Sequence, residues 1–412
     1  MASFAIPLSG LEANSDSLSV IANNLANLNT DGYKNQTLNF GDLLYQMQGS
    51  SGNGDPIQVG SGVQVDSTTS NFTNGTVDTT GVASNMALQG NGFFVVNNNG
   101  QTEYTRSGDF TTNSSGQLVD PSGDLVMGYP AVDGVISTSS ALGPISVNQA
   151  ATIPAVPTTS FETTTNLQAN SPVGTTFSTP ISVVDSLGVS QTLSIQYTNT
   201  GTNAWSYNVT LPASATGGTG NPTSVANGTL TFNSSGALTA PSGSVTGINI
   251  TGLSDGAAPM NLTWNLADAS GNPTLTQQDS ASATTATNQN GYGVGTLTGY
   301  SVLQNGTIEG QFSNNQTLAL GQVAVAGFAN VQGLTQSSNG DLQSTVASGA
   351  AVVGEAGIGG LGTITGGAVE ASNVDLSTEF SSMIVAQQGY EANAKVLTAF
   401  DQVSQATIQL VS

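Results

Sequence analysis

The chain has 412 residues, 37% of them apolar, with 25 acids against 3 bases for a formal charge of −22. Its only basic side chains are Lys34, Arg106 and Lys395, a set too sparse for nucleic-acid binding or attraction to an anionic membrane. Cysteine and histidine are both absent, which removes disulfides, thiolate and Ser-His-Asp chemistry and imidazole-based zinc sites. No catalytic residue, metal or cofactor is therefore expected, and the chain reads as a non-enzyme. The opening MASFAIPLSG has neither a basic n-region nor an apolar h-region, and no apolar run approaches the ~18 residues of a membrane span.

The first element is SGLEANSDSLSVIANNLANLNTDGYK. Leu11, Leu18 and Leu25 fall seven apart, with Ile21 and Leu28 at the alternate positions and Asn14 as an interruption. This heptad-like stripe predicts an amphipathic helix. Ser9 is its expected N-cap with Glu12 as capping-box partner, and Gly32 is its expected break. Residues 31–70 form a connecting segment in which Leu43, Leu44 and Tyr45 suggest a short anchored element and SSGNGDP a loop or hinge.

Residues 71–144 carry short apolar runs such as FFVV, punctuated by NNNG, NSSG and DPSG at hairpin intervals. They predict a β-meander or small barrel-like sheet. Within it Arg106 is the expected charge partner of Asp109, and Asp120 and Asp124 flank a tight turn. Residues 145–285 lie between the low-complexity stretches Pro144 to Ser160 and Ser280 to Gly295, which read as linkers. Between them Leu193, Ile195 and Tyr197 alternate, as do Trp205, Tyr207, Val209 and Leu211, and Leu262, Trp264 and Leu266. That period of two predicts an inserted all-β domain. β-type patterning then returns, so that 71–144 plus 290–365 make one discontinuous β-domain.

The chain closes on ASNVDLSTEFSSMIVAQQGYEANAKVLTAF, whose Leu376, Phe380, Met383, Ile384, Tyr390 and Leu397 make a second helical stripe. Asp375 and Glu379 suit the dipole of its first turns, and Glu391 precedes Lys395 by four, the spacing of a helical ion pair. The fold class is α+β, mainly β, and nested. Residues 1–30 plus 370–412 are a terminal helical pair enclosing the discontinuous β-domain, which encloses the inserted one.

Four of these segments resemble bacterial flagellar axial proteins of the rod–hook family: the N-terminal stretch, LQGNGFFVVNNNGQTEYTRSGDFTTNSSGQLVDPSGDLVMGY, GTIEGQFSNNQTLALGQVAVAGF and the closing helix. Rod members of that family usually lack a large insert, which is present here, and GQFSNNQTLALGQVAVAGFANVQGL is most similar to the hook members. The resemblance implies a homo-oligomeric helical tube, the flexible joint that passes motor torque to the filament, with the terminal helices lining its inside. It also implies export by the flagellar type III apparatus without a cleaved signal peptide, an extracellular place in the hook, and contact with the distal rod, the hook cap and the hook–filament junction. Gln388 stands where the family commonly carries a basic residue.

The expected site is then a polymerisation interface, placed on Leu11, Leu18, Ile21, Leu25, Leu28, Phe380, Met383, Ile384, Tyr390 and Leu397. Burying one such side chain is worth about 1.5–3 kcal/mol. Self-repulsion from the acidic surface opposes assembly, so salt is expected to favour it. A secreted acidic adhesin or surface-layer protein is the alternative that fits the composition, but it gives no account of paired terminal helices.

Overall fold

The computed structural model describes residues 4–411 apart from 44–45, 51–55, 149, 269 and 338. It is mainly β, with one long helix at each end: α1, Ala5–Ala26, and α2, Leu376–Val411. Neither is long and apolar enough to cross a membrane. The chain forms two compact units. The first is residues 1–149 with 299–310 and 317–412, and the second is residues 150–298 with 311–316.

In the first unit the strand Phe93–Asn98 is central. It pairs with Gln101–Thr105, with Leu125–Val132 and with Val325–Gly327. Its FFVV run is apolar at every position because both faces are covered. Phe94 and Val96 join a core with Met86, Phe110, Val126 and Ile308, whereas Phe93 and Val95 pack with Tyr104, Tyr129 and Ala326. The NNNG segment makes the expected tight hairpin: Asn98 faces Gln101, and Asn99 and Gly100 take φ of 50° and 96°, the left-handed pair that such a turn requires.

One turn device recurs through both units. In NSSG, DPSG, DSLG, a second NSSG and DASG, the leading side chain accepts from the backbone N–H two and four residues on. Asn113, Asp120, Asp185, Asn233 and Asp268 all do this, at 2.8–3.0 Å. Each glycine that follows sits at positive φ, where a Cβ is penalised. The short acceptor thus mimics a backbone turn and frees the flanking strands to pair. Asp120 serves this turn, with the Asp124 N–H as its second donor.

The second unit stacks two five-stranded sheets. One is a meander of Thr176–Val184, Ser190–Gly201, Ala204–Leu211, Thr223–Phe232 and Leu238–Ala240; the other is built around Ser160–Gln168. Every residue of the three alternating triplets and quartets picked out in the sequence is buried here, and both tryptophans are fully enclosed. Trp264 donates from its indole N–H to Thr163 Oγ1 at 3.2 Å, so its one polar atom is satisfied in the core.

Residues 36–70 depart from a plain connection. Gln36–Asp42 and Val63–Ser70 form an antiparallel ribbon, and Gln46–Ser50 pairs with Pro56–Val59 beyond it. Alternating Thr, Val and Phe among polar residues suits a strand solvated on both faces, a pattern that hides behind the glycines on either side. Leu44, Tyr45 and most of SSGNGDP lie outside the described residues, while Leu43 donates its N–H to Gly62 O at 3.0 Å.

Candidate assembly interface

Helices α1 and α2 pack antiparallel, and the seam of their closest approach is made by small residues, with the leucine stripe only partly covered beside it. Ala13 and Ala386 are buried in it. A Cβ added at Gly10 would meet the Asn393 side chain at 2.8 Å, and one added at Gly389 would meet Asn14 Oδ1 at 2.5 Å. Each asparagine folds back on its own helix. Asn14 Nδ2 donates to Gly10 O at 2.6 Å, and Asn393 Nδ2 donates to Gly389 O at 3.0 Å. The result is reciprocal: each helix offers a glycine as the hole for the other helix's asparagine. Phe4 and Phe400 close one end edge-to-face at 6.2 Å.

The sequence signal for this seam is a repeat, Gly10-Leu-Glu-Ala-Asn14 and Gly389-Tyr-Glu-Ala-Asn393. It marks the seam where hydropathy does not, because close approach of two backbones rewards absent side chains over large ones.

At the other end Asn24 is the hub. Its Nδ2 donates to Gln36 O at 2.8 Å and Glu379 Oε1 at 3.2 Å, while its Oδ1 accepts from Gln36 N at 2.9 Å and Tyr33 OH at 3.1 Å. One buried amide therefore ties α1 to the ribbon and to the first turn of α2. Burial holds the Glu379 carboxyl above its usual range, with the Asn24 amide opposing and Asp375 adding to the rise. Asp375 Oδ1 accepts from Thr378 N at 2.7 Å, the N-cap of α2.

Three local expectations are corrected. Ser9 does not start α1. The helix begins at Ala5, and Ser9 Oγ donates to Ile6 O at 2.8 Å and accepts from Val63 N at 3.2 Å, so the hydroxyl serves the ribbon instead of a capping box. Gly32 does not cap the helix, whose C-cap is Asn27. It lets the following loop cross the Arg106–Ser107 backbone, where a Cβ would meet atoms at 2.5 Å. Arg106 pairs with Glu370, not Asp109.

That pairing belongs to a buried clasp. Lys34 Nζ lies 2.6 Å from Glu370 Oε1, and Arg106 Nη1 lies 3.4 Å from Oε2. Gly75 N also donates to Oε1 at 2.8 Å, Arg106 Nη2 donates to Gly90 O at 2.6 Å, and Lys34 Nζ donates to Thr73 O at 2.9 Å. The guanidinium sits 5.4 Å from the centre of the Phe93 ring. Burial pulls both cations below their usual pKa, and Glu370 opposes the shift in each. Two of the chain's three bases thus converge on one carboxylate that leads into α2.

Among the described residues, Glu103, Asp124 and Asp341 bring carboxylate oxygens within 4.8 Å of one another. Asn339 Nδ2 bridges Asp124 and Asp341 at 2.8 and 3.2 Å. Asp341 is pushed up to about 7, first by burial and then by the charges of Asp120, Glu103 and Asp124, with a hydrogen bond to Thr105 opposing. A retained proton and one amide relieve the crowding. The folded state holds that proton more tightly than the unfolded chain does, so this group's contribution to stability falls as pH rises from 3.8 towards about 7. In Asp341→Asn that loss should vanish. Its thermal midpoint should fall less than the parent's over this window and exceed it at about pH 8; parallel melting curves for the two proteins would contradict the assignment.

The ten stripe residues divide by burial. Ile21 is enclosed within the pair; Leu11, Leu18, Leu25, Leu28, Met383 and Leu397 are half-buried. Phe380, Ile384 and Tyr390 remain 47%, 55% and 43% exposed. Leu8, Val385, Val396, Val403 and Ile408 are exposed as well. The small-residue seam therefore leaves Phe380, Ile384 and Tyr390 of α2 largely outside it.

Four family models match along the chain. They are a flagella basal body rod protein over residues 6–34, a flagellar hook protein FlgE/F/G D1 domain over 87–168, a flagellar basal body protein FlaE D2 domain over 148–292, and a flagellar basal body rod FlgEFG protein C-terminal segment over 365–410. The chain is 35% identical to the flagellar hook protein FlgE of Escherichia coli K12, covering 99% of each. It is 36% identical to that of Salmonella typhimurium, covering 99% of this chain and 100% of the other. The Borreliella burgdorferi hook protein is 32% identical over 98% of each. The crystal structure of Helicobacter pylori hook protein FlgE2 has the same fold at 15% identity, with a TM-score of 0.53 over 71% of this chain and all of that one. The chain belongs to the flagellar hook protein family.

Proposed function

We propose that copies of this chain finish burying one another's terminal helices, and that this drives assembly of the bacterial flagellar hook. The chain is a structural subunit of that hook. The carrying observation is that Phe380, Ile384 and Tyr390 stay exposed beside a seam already closed by glycine, alanine and asparagine. In the polymer these side chains, with Leu11, Leu18, Leu25, Leu28, Met383 and Leu397, complete their burial against neighbours, while Ile21 stiffens the pair from within. The helical pair of residues 1–30 and 370–412 lines the tube, and the discontinuous β-domain of 71–144 with 290–365 and the insert of 145–285 face outward. The tube acts as a flexible joint carrying torque from motor to filament. It meets the distal rod, the hook cap and the hook–filament junction, and its subunits leave the cell through the flagellar type III apparatus.

The test is Phe380→Ala with Ile384→Ala. Both side chains are about half exposed, so each should contribute about half of the ~1.5–3 kcal/mol available from full burial. Together they should raise the critical concentration for polymerisation by about one to two orders of magnitude while leaving the monomer's melting curve in place. Sedimentation across a concentration series reads both species. Tubes forming at the parent's concentration would remove these residues from the interface.

A further inference from the structure

A chain with three basic side chains leaves few ways to pair charges between copies. Lys34 and Arg106 are buried on Glu370. Lys395 is exposed and, among the described residues, makes no ion pair within 4 Å, so the expected helical pair with Glu391 is not formed. Any side-chain ion pair between two copies must therefore use Lys395 as its cation.

The position of Lys395 agrees with that role. It follows Asn393 by two residues, which carries it about 160° round the helix from the seam, at 100° per residue. It lies about three turns beyond Ile384 on the same outward strip. That strip faces away from the α1 of its own chain, and its nearest members around Lys395 are the exposed Glu391, Thr398 and Ala399.

The repeated pentapeptide identifies the partner. It aligns Glu12 with Glu391, and two residues past its end it aligns Asp16 with Lys395. The helix pair thus presents equivalent outer positions, acid with acid on α1 and acid with base on α2. Glu12 and Asp16 are exposed and stand about one turn apart on the side of α1 away from the seam. An α1–α1 contact between copies would set acids against acids. An α1–α2 contact sets Lys395 over Glu12 and Asp16. Complementary charge of this kind selects orientation and register more than it adds affinity.

We propose that Lys395 of one copy docks on Glu12 and Asp16 of the next copy, and that this contact decides which helix faces which in the assembly. The inference rests on the hook-subunit reading. Because the contact is heterologous, using different patches on the two copies, it propagates instead of closing on itself as a dimer.

The experiment compares critical concentrations of the full chain at one ionic strength. Lys395→Gln should raise the value about threefold, and Lys395→Glu about tenfold or more, as like charges are brought together. Adding Glu12→Lys and Asp16→Lys to Lys395→Glu should restore assembly to within about threefold of the parent. Monomer circular dichroism should be unchanged throughout, since all three sites point away from the seam. If Lys395→Glu polymerises like the parent, or if the charge swap fails to restore it, the pairing is overturned and the joint reading stands. If the unmodified chain assembles at no concentration, the joint reading falls and the pairing with it.

Discussion

Glu370→Ala should destabilise the first unit by about 3–5 kcal/mol, the cost of leaving buried charge unpaired. The carboxylate is almost completely enclosed and accepts from Lys34, Arg106 and the Gly75 N–H. Its removal strands two cations that burial already disfavours. The loss is a large fraction of the ~5–15 kcal/mol that holds a domain together. The probe matters here, because both tryptophans lie in the second unit. Urea unfolding followed by helical circular dichroism should shift to lower denaturant, while the transition seen by tryptophan fluorescence stays in place. Glu370→Gln keeps an acceptor and loses the charge, so it should fall between parent and alanine. Replacing all three members by methionine or leucine should restore much of the loss, since apolar residues of similar volume often match a buried ion cluster. A Glu370→Ala protein whose helical transition moves by less than about 1 kcal/mol would show that the clasp adds little.

The second large effect is expected at the helix seam. In Gly389→Leu a branched side chain would enter the space that Asn14 occupies, where even a Cβ lies 2.5 Å from the amide oxygen. Overpacking of this kind costs about 1–3 kcal/mol. Here the pair has little to spare, because isolated helices are marginal in water and rely on packing. The helices should part, helical circular dichroism should drop, and tubes should not form, while the tryptophan signal of the second unit persists. Gly389→Ala is the control. Its methyl meets only the end of a flexible amide, and alanine gains up to about 1 kcal/mol of helix propensity over glycine, so it should assemble nearly as the parent does. Leucine and alanine variants that behave alike would mean the helices do not approach closely at this point.

Legibility of the fold in the sequence follows the range of the interaction. The alternating triplets of the insert, the hairpin at NNNG and the existence of both end helices were readable, because each is set by neighbours a few residues away. The partner of Arg106 was not, since Glu370 lies 264 residues downstream, and the nearby Asp109 looked sufficient. The ribbon at Gln36–Asp42 and Val63–Ser70 was missed because it buries little on either face, so it casts no apolar periodicity. The helix seam is the instructive case. A hydropathy stripe locates the residues that most need cover and says nothing about where cover is found. In this protein the glycines and asparagines take the closest intramolecular contact, and Phe380, Ile384 and Tyr390 are left over. The GLEAN and GYEAN repeat carried that information in plain view.

The burial of Lys34 and Arg106 also bears on how the subunit meets degradative enzymes. A protease that cuts after basic residues has three possible sites in the whole chain, and two are locked in the clasp. The third bond, Lys395–Val396, lies within a helix, and in the proposed tube it is covered by the next subunit. Digestion by such an enzyme should therefore report on association: a single nick near the C-terminus in the free chain, and none once the tube has formed.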